Sequence, residues 1–115
     1  VQHALMSMLE HVKNKKIIIE RVVEKMAHNP AILFRVKDRG FIREGYYADL
    51  VVVDHLKSQK IMNDEILYKC GWSPFEGMTF SHSIDMTFVN GRIAYQNNKI
   101  IEGDNGMRLR FNQNK

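Results

Sequence analysis

A chain of 115 residues with 44% hydrophobic and 26% charged residues has the make-up of one globular domain and excludes a disordered segment. Seventeen Lys and Arg against thirteen Asp and Glu leave a net charge of +4, but bases and acids interleave, as in Glu20-Arg21 and Arg43-Glu44, so a solvated surface is expected and no nucleic acid partner. The longest apolar run, Ile17-Ile18-Ile19, is far too short to span a membrane, and the single Cys70 excludes an internal disulfide framework and fits a reducing, cytoplasmic compartment.

The chain opens on Val1 rather than Met and runs directly into helix pattern, as a piece of something longer would. No charged-then-apolar leader precedes that pattern. In HALMSMLEHVKNKK, Leu5, Met8, Leu9 and Val12 recur at the spacing of one helix face, and Asn14 with two lysines closes it. IERVVEKMAHN repeats the pattern with Ile19, Val22, Val23 and Met26, without a good capping residue at its start. Asn29-Pro30 then predicts a fresh helix start, with Ala31-Ile32-Leu33-Phe34 as a short, heavily buried helix.

The remainder reads as β structure. ADLVVVD places Leu50 and Val52 on one face and Val51 and Val53 on the other, which predicts a central or sandwiched strand entered by a turn at Gly45. Asn90-Gly91 predicts a two-residue hairpin that pairs Phe88 with Ile93 and Met86 with Tyr95. Asn97-Asn98 can turn the chain again, giving a three-stranded meander that ends near Ile101.

KCGWSPFEGMTF, residues 69–80, fits neither element type. It holds the only Cys, the only Trp and one of two Pro residues, and is too apolar for an idle loop. Cys70 in it reads as a nucleophile or as a buried structural side chain. His3, His11, His28, His55 and His82 form no H-x-H pair and no HExxH motif, and His3 with His11 on one helix side is a weak metal signal. Asp49 and Asp54 bracket the LVVV strand as an acid pair or, more simply, as caps at the strand ends. No G-x-S-x-G elbow and no phosphate-binding glycine loop is present, so residue chemistry alone completes no catalytic constellation.

Two stretches carry a resemblance. NPAILFRVKDRGFIREGYYADLVVVD resembles the segment in which metal-dependent amidohydrolases pass from the last barrel helix into a small β domain, through Asn29-Pro30-Ala31, Leu33-Phe34, Gly40, Ile42, Gly45, Ala48-Asp49-Leu50-Val51 and Asp54. KCGWSPFEG followed by Thr87, Val89, Asn90 and Gly91 is similar to the C-terminal region of dihydroorotases. VQHALMSMLEHV resembles the start of that family's final barrel helix and GMRLRF its tail, so the likeness covers essentially the whole chain. SHSIDMTF lacks a glycine frequent before the dihydroorotase hairpin, and allantoinases and dihydropyrimidinases carry related loops.

The resemblance implies an α+β fragment: residues 1–38 as terminal helices of a (β/α)8 amidohydrolase barrel, then residues 39–115 as strands of the small composite β-sandwich domain. It implies a hydrolase that interconverts N-carbamoyl-L-aspartate and dihydroorotate in pyrimidine biosynthesis. The family's zinc pair, held by an H-x-H pair, a carboxylated Lys, two further His and an Asp, is implied upstream of this chain. The segment alone is then expected to hold no metal and no catalytic residue and to be inactive. Gln2 and His3 are the residues expected nearest the substrate, unless they are ordinary first-turn helix residues. Cys70, Trp72, Pro74, Phe75 and Gly77 are expected to form a structural loop where barrel and β domain meet, with Cys70 buried, and Ser73 or Glu76 as an alternative substrate contact. The implied partners are the barrel domain of the same polypeptide, a small-molecule substrate and further copies in a homo-oligomer. A catalytically dead homologue acting as an assembly scaffold would share every residue seen here.

Overall fold

The computed structural model describes residues 2–104 and 106–113. They form a small α+β arrangement of short helices and antiparallel sheet, divided into two compact units. One unit gathers the first helix with Val53–Ile84, and the other gathers Glu20–Val52 with the chain from Asp85 onward.

In the first unit, α1 spans Ala4–Lys13. It closes on Lys15, which takes the left-handed conformation at φ 55° usually left to glycine. The backbone N–H of Lys16 then donates to His11 O at 2.9 Å and that of Lys15 to Val12 O at 2.9 Å, so the last turn's carbonyls are satisfied. The buried side of α1 is centred on Met6 and Leu9, while Leu5, Met8 and Val12 of the expected stripe are only half-buried. The reason is the neighbour it packs on: Met6 enters a cluster with Ile61 and Phe80, flanked by Phe75 and Ile84. Ile61 and Phe80 lie in or beside a two-stranded sheet of β2 (Gln59–Lys60) and β3 (Thr79–Phe80), paired Gln59 to Phe80 and Lys60 to Thr79.

The second unit begins with helix that does not restart at Asn29. α2 (Ile19–Val23) runs through a π-helical turn (Glu24–His28) into α3 (Asn29–Leu33). Asn29 is itself helical at φ −61°, ψ −42°, and its N–H donates five residues back to Glu24 O, so it caps nothing. The wide turn explains how proline is accommodated: its ring would press on the carbonyl four residues earlier, and the extra residue in the turn opens the ladder there. The expected burial of α3 is also corrected, because only Ala31 is buried while Ile32, Leu33 and Phe34 are 63, 74 and 65% exposed.

Its four-stranded sheet has the order β1-β4-β5-β6, with β1 at Leu50–Asp54, β4 at Ser83–Val89, β5 at Arg92–Gln96 and β6 at Lys99–Ile100. The valine-rich β1 is therefore an end strand of the described sheet rather than a central one, with Val51 47% and Val52 38% exposed. Its two-faced apolar pattern states what the strand can tolerate on each face, not which neighbours it has. The Asn90-Gly91 turn forms as its chemistry requires, with both residues at positive φ (52° and 78°) and Phe88 opposite Ile93. Beyond that pair the register shifts: Thr87 faces Tyr95 and Met86 faces Gln96, which makes Ala94 an extra residue on β5. Asn97 and Asn98, at φ 53° and 59°, complete the meander by turning β5 into β6.

Candidate functional site

The loop between residues 63 and 77 and the first turn of α1 build one polar site in the first unit. Ser73 is buried at 5% exposure and His3 at 6%. Local sequence accounts for half of the geometry. Ser73 precedes Pro74, and its Oγ accepts from the Phe75 N–H at 3.1 Å, the short-range turn that a serine hydroxyl makes two residues ahead. The Ser73 N–H donates to Asn63 Oδ1 at 3.1 Å, which ties both ends of the loop together. Gly71 and Gly77 bend it at φ 69° and 78°.

Long-range contacts then fasten this loop to α1. Ser73 Oγ lies 3.2 Å from His3 Nδ1. That oxygen accepts from the Phe75 N–H and keeps its proton and a second lone pair for the ring, so it donates to Nδ1 or accepts from it according to the ring's tautomer. Tyr68 and Phe75 meet the His3 ring edge-on at centroid distances of 6.3 and 6.1 Å, and Phe75 continues onto Phe80 at 5.5 Å. Gln2 uses both ends of its amide, donating to Glu65 O at 3.2 Å and accepting from the Leu67 N–H at 2.9 Å. So the two residues expected nearest the substrate, Gln2 and His3, grip the loop that carries Ser73. A serine beside a histidine can activate a nucleophile, but here the hydroxyl is enclosed and engaged by a backbone donor. The pair holds the loop in place.

The other loop residues divide differently from the expectation. Only Phe75 packs into the apolar cluster; Cys70 is exposed and Trp72 is 60% exposed. Within this chain the Cys70 thiol is exposed, where burial was expected at the meeting of barrel and β domain, and its Sγ approaches Trp72 O at 3.8 Å. His11 is exposed while His3 is buried, so the weak His3–His11 pairing does not form. Among the described residues no three His, Cys, Asp or Glu side chains converge as a metal ion would require, so these residues do not fit a two-metal centre.

Farther along α1, Glu10 Oε2 accepts from the Ser81 N–H at 2.9 Å and from the Ser81 hydroxyl at 2.7 Å. Those two donors hold the Glu10 carboxyl below its ordinary range, and burial holds the His3 imidazole below its own. Both shifts make the fold acid-sensitive. The unfolded His3 ring takes a proton near 6.5 while the folded one resists it, so that penalty sets in as pH falls through the unfolded value and is complete below the folded one. Glu10 stabilises the fold above its unfolded value of 4.5, and this is lost as pH falls through the folded value. Thermal unfolding followed from neutral to acid pH should show a midpoint that falls in two stages. His3→Gln should remove the stage around the imidazole range, and a profile identical to the parent there would contradict this. Ser73→Ala should cost about 1–2 kcal/mol by leaving the Phe75 N–H without its acceptor, read as a lowered unfolding midpoint.

The second unit holds a knot that the sequence did not single out. Arg39, 9% exposed, forms an ion pair with Asp49, donates from Nη2 to Asn90 Oδ1 at 2.6 Å, and lies over the Tyr47 ring at 4.1 Å. The Asn90 N–H donates to Asp49 Oδ1 at 2.8 Å, and the Gly91 N–H to Ala48 O at 3.0 Å. The Asp of ADLV and the Asn of VNG, 41 residues apart, are thereby two ends of one hydrogen-bonded unit. Asp54 acts at the other strand end, where it accepts from the Leu56 N–H at 2.9 Å. The capping reading of both aspartates is therefore the one realised. Arg39 was missed because one arginine among seventeen basic residues carries no local mark; its place before the turn glycine Gly40 is the only hint.

The sequence profile of the amidohydrolase family matches residues 2–94. A dihydroorotase of Pyrococcus abyssi is 35% identical over 102 residues, covering 89% of this chain and 25% of that protein. A dihydroorotase of Methanosphaera stadtmanae is 32% identical over 104 residues, covering 90% of this chain and 24% of that protein. An allantoinase of Desulfitobacterium hafniense is 29% identical over 113 residues, 97% of this chain and 25% of the relative. The chain spans about a quarter of the length of the curated relatives it matches.

Proposed function

The chain belongs to the amidohydrolase family, and on that premise we propose that it is the C-terminal part of a dihydroorotase-type cyclic amidohydrolase. That enzyme interconverts N-carbamoyl-L-aspartate and dihydroorotate in pyrimidine biosynthesis. The observation that carries the reading is the likeness of nine-tenths of the chain to dihydroorotases, with the two resembling motifs bound to one another through Arg39. In this reading residues 1–38 are the closing helices of the barrel and residues 39–115 belong to the composite β-sandwich. The exposed Ile32, Leu33 and Phe34, which border an apolar hollow of about 450 Å³ with Pro30, support a covering partner in the rest of the same polypeptide.

The role of this chain is then positioning. Gln2 and His3 stand in the first turn after the last barrel strand, close to the substrate end, and fix the loop of Trp72, Pro74 and Phe75 against that turn. The zinc pair and its carboxylated lysine belong to residues outside this chain, and the segment by itself is inactive. The whole enzyme assembles as a homo-oligomer in the cytoplasm.

The test is to express the whole reading frame that carries this chain and assay dihydroorotate, allantoin and dihydrouracil side by side, with metal content measured on the same preparation. Turnover of dihydroorotate by a metal-bearing protein is the expected result. Preference for allantoin would favour the second reading, which the allantoinase likeness over 97% of the chain supports. A folded, metal-free protein inert toward all three would replace both with an assembly scaffold.

A further inference from the structure

We infer that Asn90 is a site of covalent modification: its side-chain amide is open to deamidation by the Gly91 nitrogen, and the knot of Arg39 and Asp49 withholds that reaction until the turn opens. The chemistry belongs to the dipeptide. The Gly91 nitrogen attacks Asn90 Cγ, the N–Cγ bond forms and the Cγ–Nδ2 bond breaks. Nδ2 leaves as ammonia, carrying the proton that the Gly91 nitrogen gives up. Water then opens the five-membered imide. Opening at the side-chain carbonyl leaves an aspartate at position 90; opening at the main-chain carbonyl leaves an isoaspartate, with the chain routed through the side chain.

Glycine in the second position favours attack because no Cβ crowds the nitrogen. The sequence holds Asn-Gly at 90–91 and at 105–106, and the first is the pair whose two residues are both described. Gly91 is exposed, with nothing within 4 Å of where a Cβ would stand, so water reaches the reacting atoms.

Three hydrogen bonds hold those atoms apart. The Gly91 N–H, which must be given up, donates to Ala48 O at 3.0 Å. Asn90 Oδ1 accepts from Arg39 Nη2 at 2.6 Å, and since a guanidinium only donates, the amide oxygen is the atom that faces it. The Asn90 N–H donates to Asp49 Oδ1 at 2.8 Å. Ring closure needs the nitrogen about 3–3.5 Å from Cγ and aligned with it. Reaching that geometry turns both the side chain and the peptide plane between residues 90 and 91, and so breaks these bonds. Arg39 also acts in the opposite sense, because its guanidinium polarises the amide carbonyl and would stabilise the oxyanion formed on attack. That help counts only once the nitrogen can reach Cγ, so position decides and the folded turn is protected.

Either product works against re-closing. An aspartate at position 90 sets a second carboxylate beside Asp49, with one arginine between them. An isoaspartate adds a carbon to the main chain, and the two-residue turn, with φ 52° and 78°, cannot re-form around it. Each event therefore records an opening of the hairpin turn and makes it permanent.

The test ages the whole polypeptide at mildly alkaline pH, folded and in urea, and reads the mass gain and the isoaspartate at position 90 by peptide mapping, separately from Asn105. Modification in the folded chain should be at least about tenfold slower than in urea. Arg39→Met should raise the folded rate about tenfold, and Asp49→Asn, which keeps the side-chain shape, should raise it too and carries the test if the first variant does not fold. Ser73→Ala, which loosens the other unit, should leave the rate within about twofold. Folded-chain modification as fast as in urea would overturn the inference. So would an unchanged or slower rate in the knot variants, or a rate that follows overall stability in all three. The readout is chemistry on the chain itself, so its failure and that of the enzyme reading are separable.

Discussion

Gly40→Ala is expected to cost about 3–5 kcal/mol, enough to keep most of the polypeptide from folding at growth temperature. Two independent terms add. Gly40 sits at φ 80°, where an L side chain is strained by roughly 1–2 kcal/mol. A Cβ there would also lie 2.3 Å from the Ala31 Cβ and 3.0 Å from the Ala27 carbonyl oxygen. Neither neighbour can give way: Ala31 is buried and has no further rotamer, and the Ala27 carbonyl lies in the π-helical turn ahead of Pro30. Gly91→Ala separates the two terms. Gly91 has the same φ, 78°, with nothing within 4 Å of its would-be Cβ, so only the strain of about 1 kcal/mol should appear. Urea unfolding of both variants measures the difference. Equal losses would mean that the close approach to Ala31 contributes nothing.

That contrast also marks what the sequence can reveal. Asn90-Gly91 and Asn97-Asn98 were legible because a turn needing positive φ is decided within two residues. The closing of α1 at Asn14 was legible from polar residue and charge just as locally, though not the positive φ that Lys15 takes there. What depended on neighbours was not. The pattern of Leu50–Asp54 admits apolar cover on both faces, but an end strand and a central strand can carry identical residues. Ile32, Leu33 and Phe34 read as core because they are apolar, yet burial needs a surface to face, and among the described residues they have little. Asn29-Pro30 has the composition of a helix start, and a widened turn overrode it at the proline. The hairpin's register slipped at Ala94, which nothing in an otherwise regular run announces. At the site, the turn at Ser73 is a local matter of a hydroxyl and the Phe75 N–H two residues on, whereas the meeting of Ser73 with His3, seventy residues away, is written only in the fold. The resemblance reached further than the periodicities because a motif stores the outcome of such contacts.

Arg39→Met is the second large expected effect, about 2–4 kcal/mol of destabilisation, less than a fully enclosed ion pair would give because the Asp49 side chain is 36% exposed. Methionine keeps the volume over the Tyr47 ring and removes the charge, so the loss reports the polar knot rather than a hole. Two contacts are lost, the cation of Asp49 and the charged donor to Asn90 Oδ1, and the Asp49 bond to the Asn90 N–H and the Gly91 N–H bond to Ala48 O must hold the turn without Arg39. The pairing between ADLV and VNG should therefore loosen first. Hydrogen exchange at the Gly91 amide, which donates to Ala48 O, reads this directly and should accelerate more than exchange at Ile61, whose N–H lies in the other unit and donates to Met78 O. A double-mutant cycle with Asp49→Asn should return a coupling of about 1–3 kcal/mol. Coupling near zero, with both amides equally protected in the variant, would mean that the two motifs are joined by the strand ladder and not by Arg39. If the coupling is found, it supplies a physical reason for the two motifs to occur together: the turn that closes the hairpin is completed by the carboxylate of Asp49, just ahead of β1, and the arginine holds both.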